Sequence, residues 1–240
     1  MTATLHNMRG HRFFFVLTGT LLATGVSAPG QDPLAAVYAR IDTEASRFKG
    51  LTANIRRVDH EEVIHEEDVE TGTIKVKRQK PKELLVRMDI QGTNPKQAVV
   101  NGSKVQVYYP NNPGEIQVLE LGKKKSLVDQ YMALGFGGSS TDLRTAYVVK
   151  AGAEETVAGE RTMRLELTPK SPELLDQWKR IDLWISDQGG YAVQQKLYEK
   201  AGNYILITYT NVELNPTIPD SVFHLDVPKG TKQEILLRKK

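Results

Sequence analysis

Apolar residues recur first at helical spacing and then at alternate positions. Leu34, Val37, Tyr38, Ile41, Ala45 and Phe48 return every three or four residues, so one stripe of a helix faces a core. Asp32 offers an N-cap, Pro33 suits the first turn, and Lys49-Gly50 ends the run. From there the period is two. Ala53 and Ile55 alternate with polar neighbours, as do Ile74 and Val76, and then Leu84, Val86, Met88 and Ile90. Val99-Val100 and Val105, Val107 and Tyr109 flank Asn101-Gly102, the pattern of a tight hairpin. Ile116, Val118 and Leu121 follow, then Met163, Leu165 and Leu167, then Ile181, Leu183 and Ile185. After turns at 187–190 and 201–203 come Val193, Gln195 and Leu197, and Ile205, Ile207 and Tyr209. Phe223 and Leu225 close the series. About ten to eleven strands joined by short turns predict antiparallel pairing in a meander, without βαβ units.

Helical spacing interrupts the strands. Lys123 to Phe136 places Leu127, Val128, Tyr131, Met132 and Leu134 on one apolar-rich face. Gly135, Gly137, Gly138 and Ser139-Ser140 form a flexible break, and a short helix is expected from Asp142 to Tyr147. Ser171-Pro172-Glu173 starts another, with Leu174, Leu175 and Trp178. The predicted class is α+β, in one domain. A long antiparallel sheet tends to curl, and so few helices cannot blanket both of its faces. The economical arrangement is a strongly curved sheet with helices over its concave face as a lid.

The first residues stand outside this pattern. Arg9, His11 and Arg12 precede the apolar run from Phe13 to Val26, and Val26-Ser27-Ala28 offers a small-residue cleavage site. The run is shorter than the roughly 20 residues that span a membrane. Residues 1–28 therefore read as a secretory signal peptide, and residues 29–240 as the mature domain. The chain has 240 residues, 32 Lys+Arg, 29 Asp+Glu and no cysteine. Removing residues 1–28 takes two arginines and no acid from the net charge of +3, leaving +1. That balance carries no basic surface for nucleic acid. The absent cysteine excludes disulfides, thiolate zinc sites, iron–sulfur clusters and cysteine nucleophiles. It also removes the lipid-bearing residue of a bacterial lipoprotein at this junction, so the mature protein is expected to be soluble in the periplasm.

No constellation reads as a catalytic or metal site. His60 and His65 bracket an acid-rich run, but they lie five apart, roughly 140° around a helix or on opposite faces of a strand. A helical zinc site needs two histidines four apart. The run from Glu61 to Glu70 reads as a solvated hairpin whose acids can pair with Lys75, Lys77, Arg78, Lys80 and Lys82 on a neighbouring strand. Gly135 to Ser140 lacks the Gly-Lys-Ser/Thr ending of a phosphate loop, and the chain has no G-x-S-x-G elbow. Neither a cofactor nor an enzymatic activity is expected. Lys123-Lys124-Lys125 suits either a solvated helix start or the end of an amphipathic lid near anionic head groups or an acidic partner.

Several segments in order resemble one family. Gly72-Thr73-Ile74-Lys75-Val76-Lys77-Arg78 is similar to a G-x-L-x-V-K-R strand, although two extra residues stand between Arg78 and Pro81. Asn101-Gly102 with Val107-Tyr108-Tyr109-Pro110 resembles a "DG…W-x-Y-x-P" hairpin lacking its Trp. Leu167-Thr168-Pro169-Lys170 resembles "L-x-P-K", and Ile218-Pro219 with Phe223 to Gly230 resembles "I-P…F-x-F-x-P-x-G". The family is that of the LolA-type periplasmic carriers of outer-membrane lipoproteins, of which this chain looks like a divergent member. The resemblance implies an incomplete β-barrel with an apolar interior that binds acyl chains. It implies as partners acylated lipoproteins or another lipid cargo, an inner-membrane release complex and an outer-membrane acceptor, with the carrier a monomer. It places Arg78 as a hydrogen-bonding latch on the lid. Leu127, Tyr131, Met132, Leu134 and Phe136 are candidate lid residues, the glycines behind them a candidate hinge, and Val86, Met88 and Val107 candidate cavity residues. A sensor or regulatory module of the same fold, binding lipoproteins or a membrane-protein partner, is the alternative.

Overall fold

The computed structural model describes residues 32–81, 83–111, 115–122, 125 and 134–235. Leu127, Val128, Tyr131 and Met132, and with them most of the predicted lid helix, lie outside the described residues. Helix α1 runs over Pro33–Arg47, capped by Asp32, whose Oδ1 accepts from the Leu34 amide at 3.0 Å. Its predicted stripe is the buried one: Val37, Ile41 and Ala45, continued by Phe48.

Strands β1 (Gly50–Glu61), β2 (Glu66–Lys80), β3 (Glu83–Gln91), β4 (Lys96–Asn101), β5 (Lys104–Tyr108) and β6 (Glu115–Glu120) follow. After a crossover come α2 (Ser140–Ala146), β7 (Tyr147–Val157), β8 (Glu160–Pro169), α3 (Pro172–Leu175), β9 (Arg180–Ser186), β10 (Ala192–Tyr198), β11 (Tyr204–Leu214) and β12 (Lys232–Ile235). All twelve strands form one open sheet in the order β12-β6-β5-β4-β3-β2-β1-β11-β10-β9-β8-β7. It consists of two antiparallel meanders zipped together where β1 pairs with β11, with β12 added in parallel to β6. The expected class, α+β with an antiparallel sheet, is the observed one.

The sheet curls around a shared core. Leu84 on β3 and Leu183 on β9 wall the same cavity. They belong to strands five places apart in the sheet, which on a flat sheet would separate them by roughly 24 Å. Leu51, Ala53, Ile55, Ile74, Val76, Leu165, Ile181, Leu197 and Ile207 all point into that one core, alongside Val37 and Ile41 of α1. The opposite, convex face is covered over β3 to β6 by the C-terminal segment. Ile218 and Phe223 pack on Leu85 and Val99, and Leu225 and Val227 pack on Tyr108, Ile116 and Val118.

The structure corrects the sequence pattern in three places. The described residues form twelve strands rather than ten or eleven. β7 is an edge strand whose residues are mostly solvated, so it lacks an apolar alternation, and β12 is only four residues long. Phe223 lies in a 3-10 turn over Asp220–Phe223, not in a strand; its apolar period comes from lying across the convex face. Glu66 to Glu70 and Lys75 to Lys80 share one continuous strand, β2, and so cannot face each other, while Glu61 ends β1 opposite Glu66. Glu70 instead receives Arg57 at 3.2 Å and Lys96 at 2.7 Å, while Lys77 reaches the Ile218 carbonyl and Asp220.

Candidate functional site

The topology creates the site. β6 lies near one edge of the sheet and β7 at the other, and residues 134–137 of the connection between them lie on the concave face. Its described part, a turn at Leu134–Gly137 followed by α2, is fastened to the sheet at three backbone carbonyls. Buried Gln195 on β10 donates to the Leu134 carbonyl at 2.7 Å. The Ala192 amide donates to the Gly135 carbonyl at 2.9 Å. Arg78 Nη2 donates to the Gly137 carbonyl. Leu134 and Phe136 point inward, both nearly fully buried, and Phe136 meets Tyr209 edge to face at 4.8 Å between ring centres.

The glycines here serve close packing. Gly135 has φ +79°, and a Cβ on it would lie 2.3 Å from Ala192 Cβ. Gly137 has φ +74°, and its Cβ would lie 2.5 Å from Phe48 Cδ1. Both positions exclude ordinary side chains on conformation and on space. α2 then starts with a capping box between Ser139 and Asp142, and its Ser140 amide and hydroxyl both bond Asp42 of α1 at 2.7 Å.

Arg78 joins these pieces. Its Nη1 donates to the Ala45 carbonyl at 3.1 Å, near the end of α1, and its guanidinium sits 5.4 Å from the Phe48 ring centre. Its own amide donates to the Lys49 carbonyl at 2.8 Å. One side chain thus ties β2, α1 and the 134–137 turn together.

Between the turn, α1, α2 and the sheet lies a cavity of about 660 Å³. Ile41, Leu84, Leu134, Leu143, Ala146, Leu183 and Ile185 form its apolar wall. Glu44, Arg78, Asp142 and Lys170 supply charge, and Ser139, Thr145 and Ser171 hydroxyls. Lys170 is already engaged, its Nζ donating to the Arg144 carbonyl at 2.6 Å. Of the sequence candidates, Arg78 and Leu134 line this cavity, and Phe136 is buried beside it. Val86 is buried in the same core, two residues on from Leu84; Met88 packs against that core, and Val107 is half-buried on β5.

Glu44, Asp42, Ala192 and Gln195 went unpredicted. Glu44 falls within the apolar stripe of α1, and Gln195 falls in phase with Leu197, so each was readable as a polar residue at an inward position. Asp42 and Ala192 act through partners far away in sequence and gave no local signal.

The two histidines of the acidic hairpin do not converge. His60 stacks on Tyr204 at 4.6 Å and contacts Glu62 at 3.0 Å, whereas His65 sits in the exposed turn. Among the described residues no group of His, Asp and Glu could hold a metal ion, and no helix is long and apolar enough to cross a membrane.

A family model described as "Outer membrane lipoprotein carrier protein LolA" matches residues 46–226. The chain belongs to the LolA family. Its members are carriers, binding proteins rather than enzymes. The outer-membrane lipoprotein carrier protein of Cupriavidus pinatubonensis is 34% identical over 114 residues, 48% of this chain and 49% of the relative. That of Alcanivorax borkumensis is 33% identical over 103 residues, 42% of this chain and 45% of the relative. The chain thus spans about half the length of the curated relatives it matches. Among solved structures, an uncharacterized conserved protein from Thermus thermophilus aligns with a TM-score of 0.53 at 9% identity, over 85% of this chain and 99% of that one. MucB aligns with a TM-score of 0.50 at 14% identity, over 83% of this chain and 65% of that one. These two likenesses show a shared fold alone.

Proposed function

We propose that this LolA-family chain is a periplasmic lipoprotein carrier: it takes acyl chains into the cavity under the 134–146 segment and ferries them from the inner to the outer membrane. Residues 1–28 act as its export signal and residues 29–240 as a single carrier domain. An inner-membrane release complex loads it, and an outer-membrane acceptor unloads it.

The cavity between the concave sheet and the clamped turn carries the reading. Acyl chains gain roughly 0.8 kcal/mol for each methylene withdrawn from water, and Ile41, Leu84, Leu143, Leu183 and Ile185 offer the surface for it. Release needs a competitor for that surface. Leu134 and Phe136 are suited to the part, with Arg78 as the latch that favours the closed turn; Leu127, Tyr131 and Met132 extend the proposed lid, and Val86, Met88 and Val107 the proposed apolar lining.

Titration of purified residues 29–240 with the fluorescent fatty acid cis-parinarate tests this. The wild type is expected to bind it. Arg78→Ala removes a charged donor from the closed state and is expected to bind roughly tenfold tighter, the equivalent of one charge-assisted hydrogen bond. A wild type that takes up no probe overturns the reading.

A further inference from the structure

One carboxylate in the cavity wall has no structural purpose in view. Glu44 is 2% exposed, in the last turn of α1. Its Oε2 meets Arg47 Nε at 2.8 Å, but its Oε1 is buried with no hydrogen-bond partner among the described residues. Three costs coincide. The charge is withdrawn from water, one oxygen is unsatisfied, and a negative group sits at the negative end of a helix. An apolar residue at this point of the stripe would pack with Ile41 and Ala45 at no such cost. Residues that break a local rule in this way are expected at functional positions.

The polar neighbours decide what Glu44 can receive. The cations of the same wall are engaged: Lys170 by the Arg144 carbonyl, and the two terminal nitrogens of Arg78 by Ala45 and Gly137. Asp142 is likewise turned to the Ser139 hydroxyl at 2.6 Å. Arg78 Nε is also buried without a hydrogen-bond partner, a donor on the same guanidinium; Glu44 Oε1 is the wall's open charged acceptor among the described residues. It suits a hydrogen-bond donor at the polar end of a buried chain and repels a carboxylate or phosphate there.

We propose that Glu44 is a specificity residue: it selects acyl chains whose polar end carries an N–H donor, an amide or an ammonium, over chains ending in an anion. This rests on the acyl-carrier reading and names the head group that reading leaves open.

Competition against bound cis-parinarate provides the test, with palmitamide, hexadecylamine and palmitate as competitors of equal chain length. The wild type is expected to bind the amide and the amine about tenfold more tightly than palmitate, as one hydrogen bond to a charged acceptor contributes. Glu44→Leu should keep or improve palmitate affinity and lose the preference; Glu44→Gln, with its volume retained, should lose most of it. Arg47, the partner each variant leaves behind, is largely solvated, so both variants should stay folded, which their melting curves check. Equal binding of all three competitors by the wild type overturns the selector and leaves the carrier reading standing. A preference that survives in Glu44→Leu also overturns it, and selection of the amine alone would narrow the donor to an ammonium. No acyl binding at all removes both.

Discussion

Two titratable groups, Tyr191 half-buried and Asp182 buried, show how different the consequences of burial can be. Tyr191 donates its hydroxyl to both oxygens of Glu160, at 2.8 and 3.0 Å, and burial with that carboxylate pushes its pKa up to about 12. It stays protonated through the ordinary pH range and brings no pH dependence there. Asp182 on β9 is fully buried on the convex face, where Arg180 Nε approaches at 3.0 Å and the Tyr198 hydroxyl at 3.2 Å. Burial is the largest influence and raises its pKa above the ordinary 3.8, with Arg180 opposing. The folded protein then holds this proton to higher pH than the unfolded chain does. Stability from this group is complete below pH 3.8 and is lost as pH rises through the raised value. Asp182→Asn should therefore gain on the wild type as pH is raised from below 3.8 toward neutrality. Paired melting curves across that range check it; a melting-temperature difference that does not change with pH counts against it.

At the scale of elements, β2 carries the most uneven chemistry. Its Lys75 stands directly opposite Arg87 of β3 on the convex face. Arg87 is satisfied by Asp89, within 3.0 Å, and by the carbonyls of Val222 and His224, whereas Lys75 makes no ion pair among the described residues. Like charges directly opposite on a sheet are destabilising, and Thr is a better strand former than Lys. Lys75→Thr should stabilise the domain by about 0.2–1 kcal/mol, read as a higher urea midpoint with unchanged slope. An unchanged or lower midpoint would show that another charge already screens the pair. The elements with a strong period were legible from the sequence: α1 with its Asp32 cap, the β4–β5 hairpin at Asn101-Gly102, and β8 through β11. β7 was hidden because an edge strand with Lys150, Glu154 and Glu155 needs no apolar alternation. Arg78 and Leu134 were legible at the site. The two carbonyl clamps from β10 were not, since Gln195 and Ala192 lie some sixty residues along the chain from the turn they hold, and nothing local announces the partnership.

At the scale of the molecule, the order of the strands turns a linker into a potential gate. β1 lies inside the sheet with one meander on each side, and residues 134–137 of the step from β6 to β7 lie over the concave face. Whatever occupies that face competes with the chain itself. The Ala192 amide reports this competition directly, because its acceptor is the Gly135 carbonyl and its exchange with solvent follows the closed turn. If an acyl ligand displaces the turn, saturation should accelerate exchange at Ala192 while the amides of the β8–β9 ladder stay protected. Gly135→Ala should reproduce that acceleration without ligand. Its methyl would fall 2.3 Å from Ala192 Cβ in a backbone conformation that disfavours a side chain, a clash that core overpacking values at about 1–3 kcal/mol. The same variant should bind cis-parinarate more tightly, since the closed state it loses is the ligand's competitor. If Ala192 remains protected at full occupancy, acyl chains enter beside the clamped turn. Release would then need a different competitor for the apolar wall than Leu134 and Phe136.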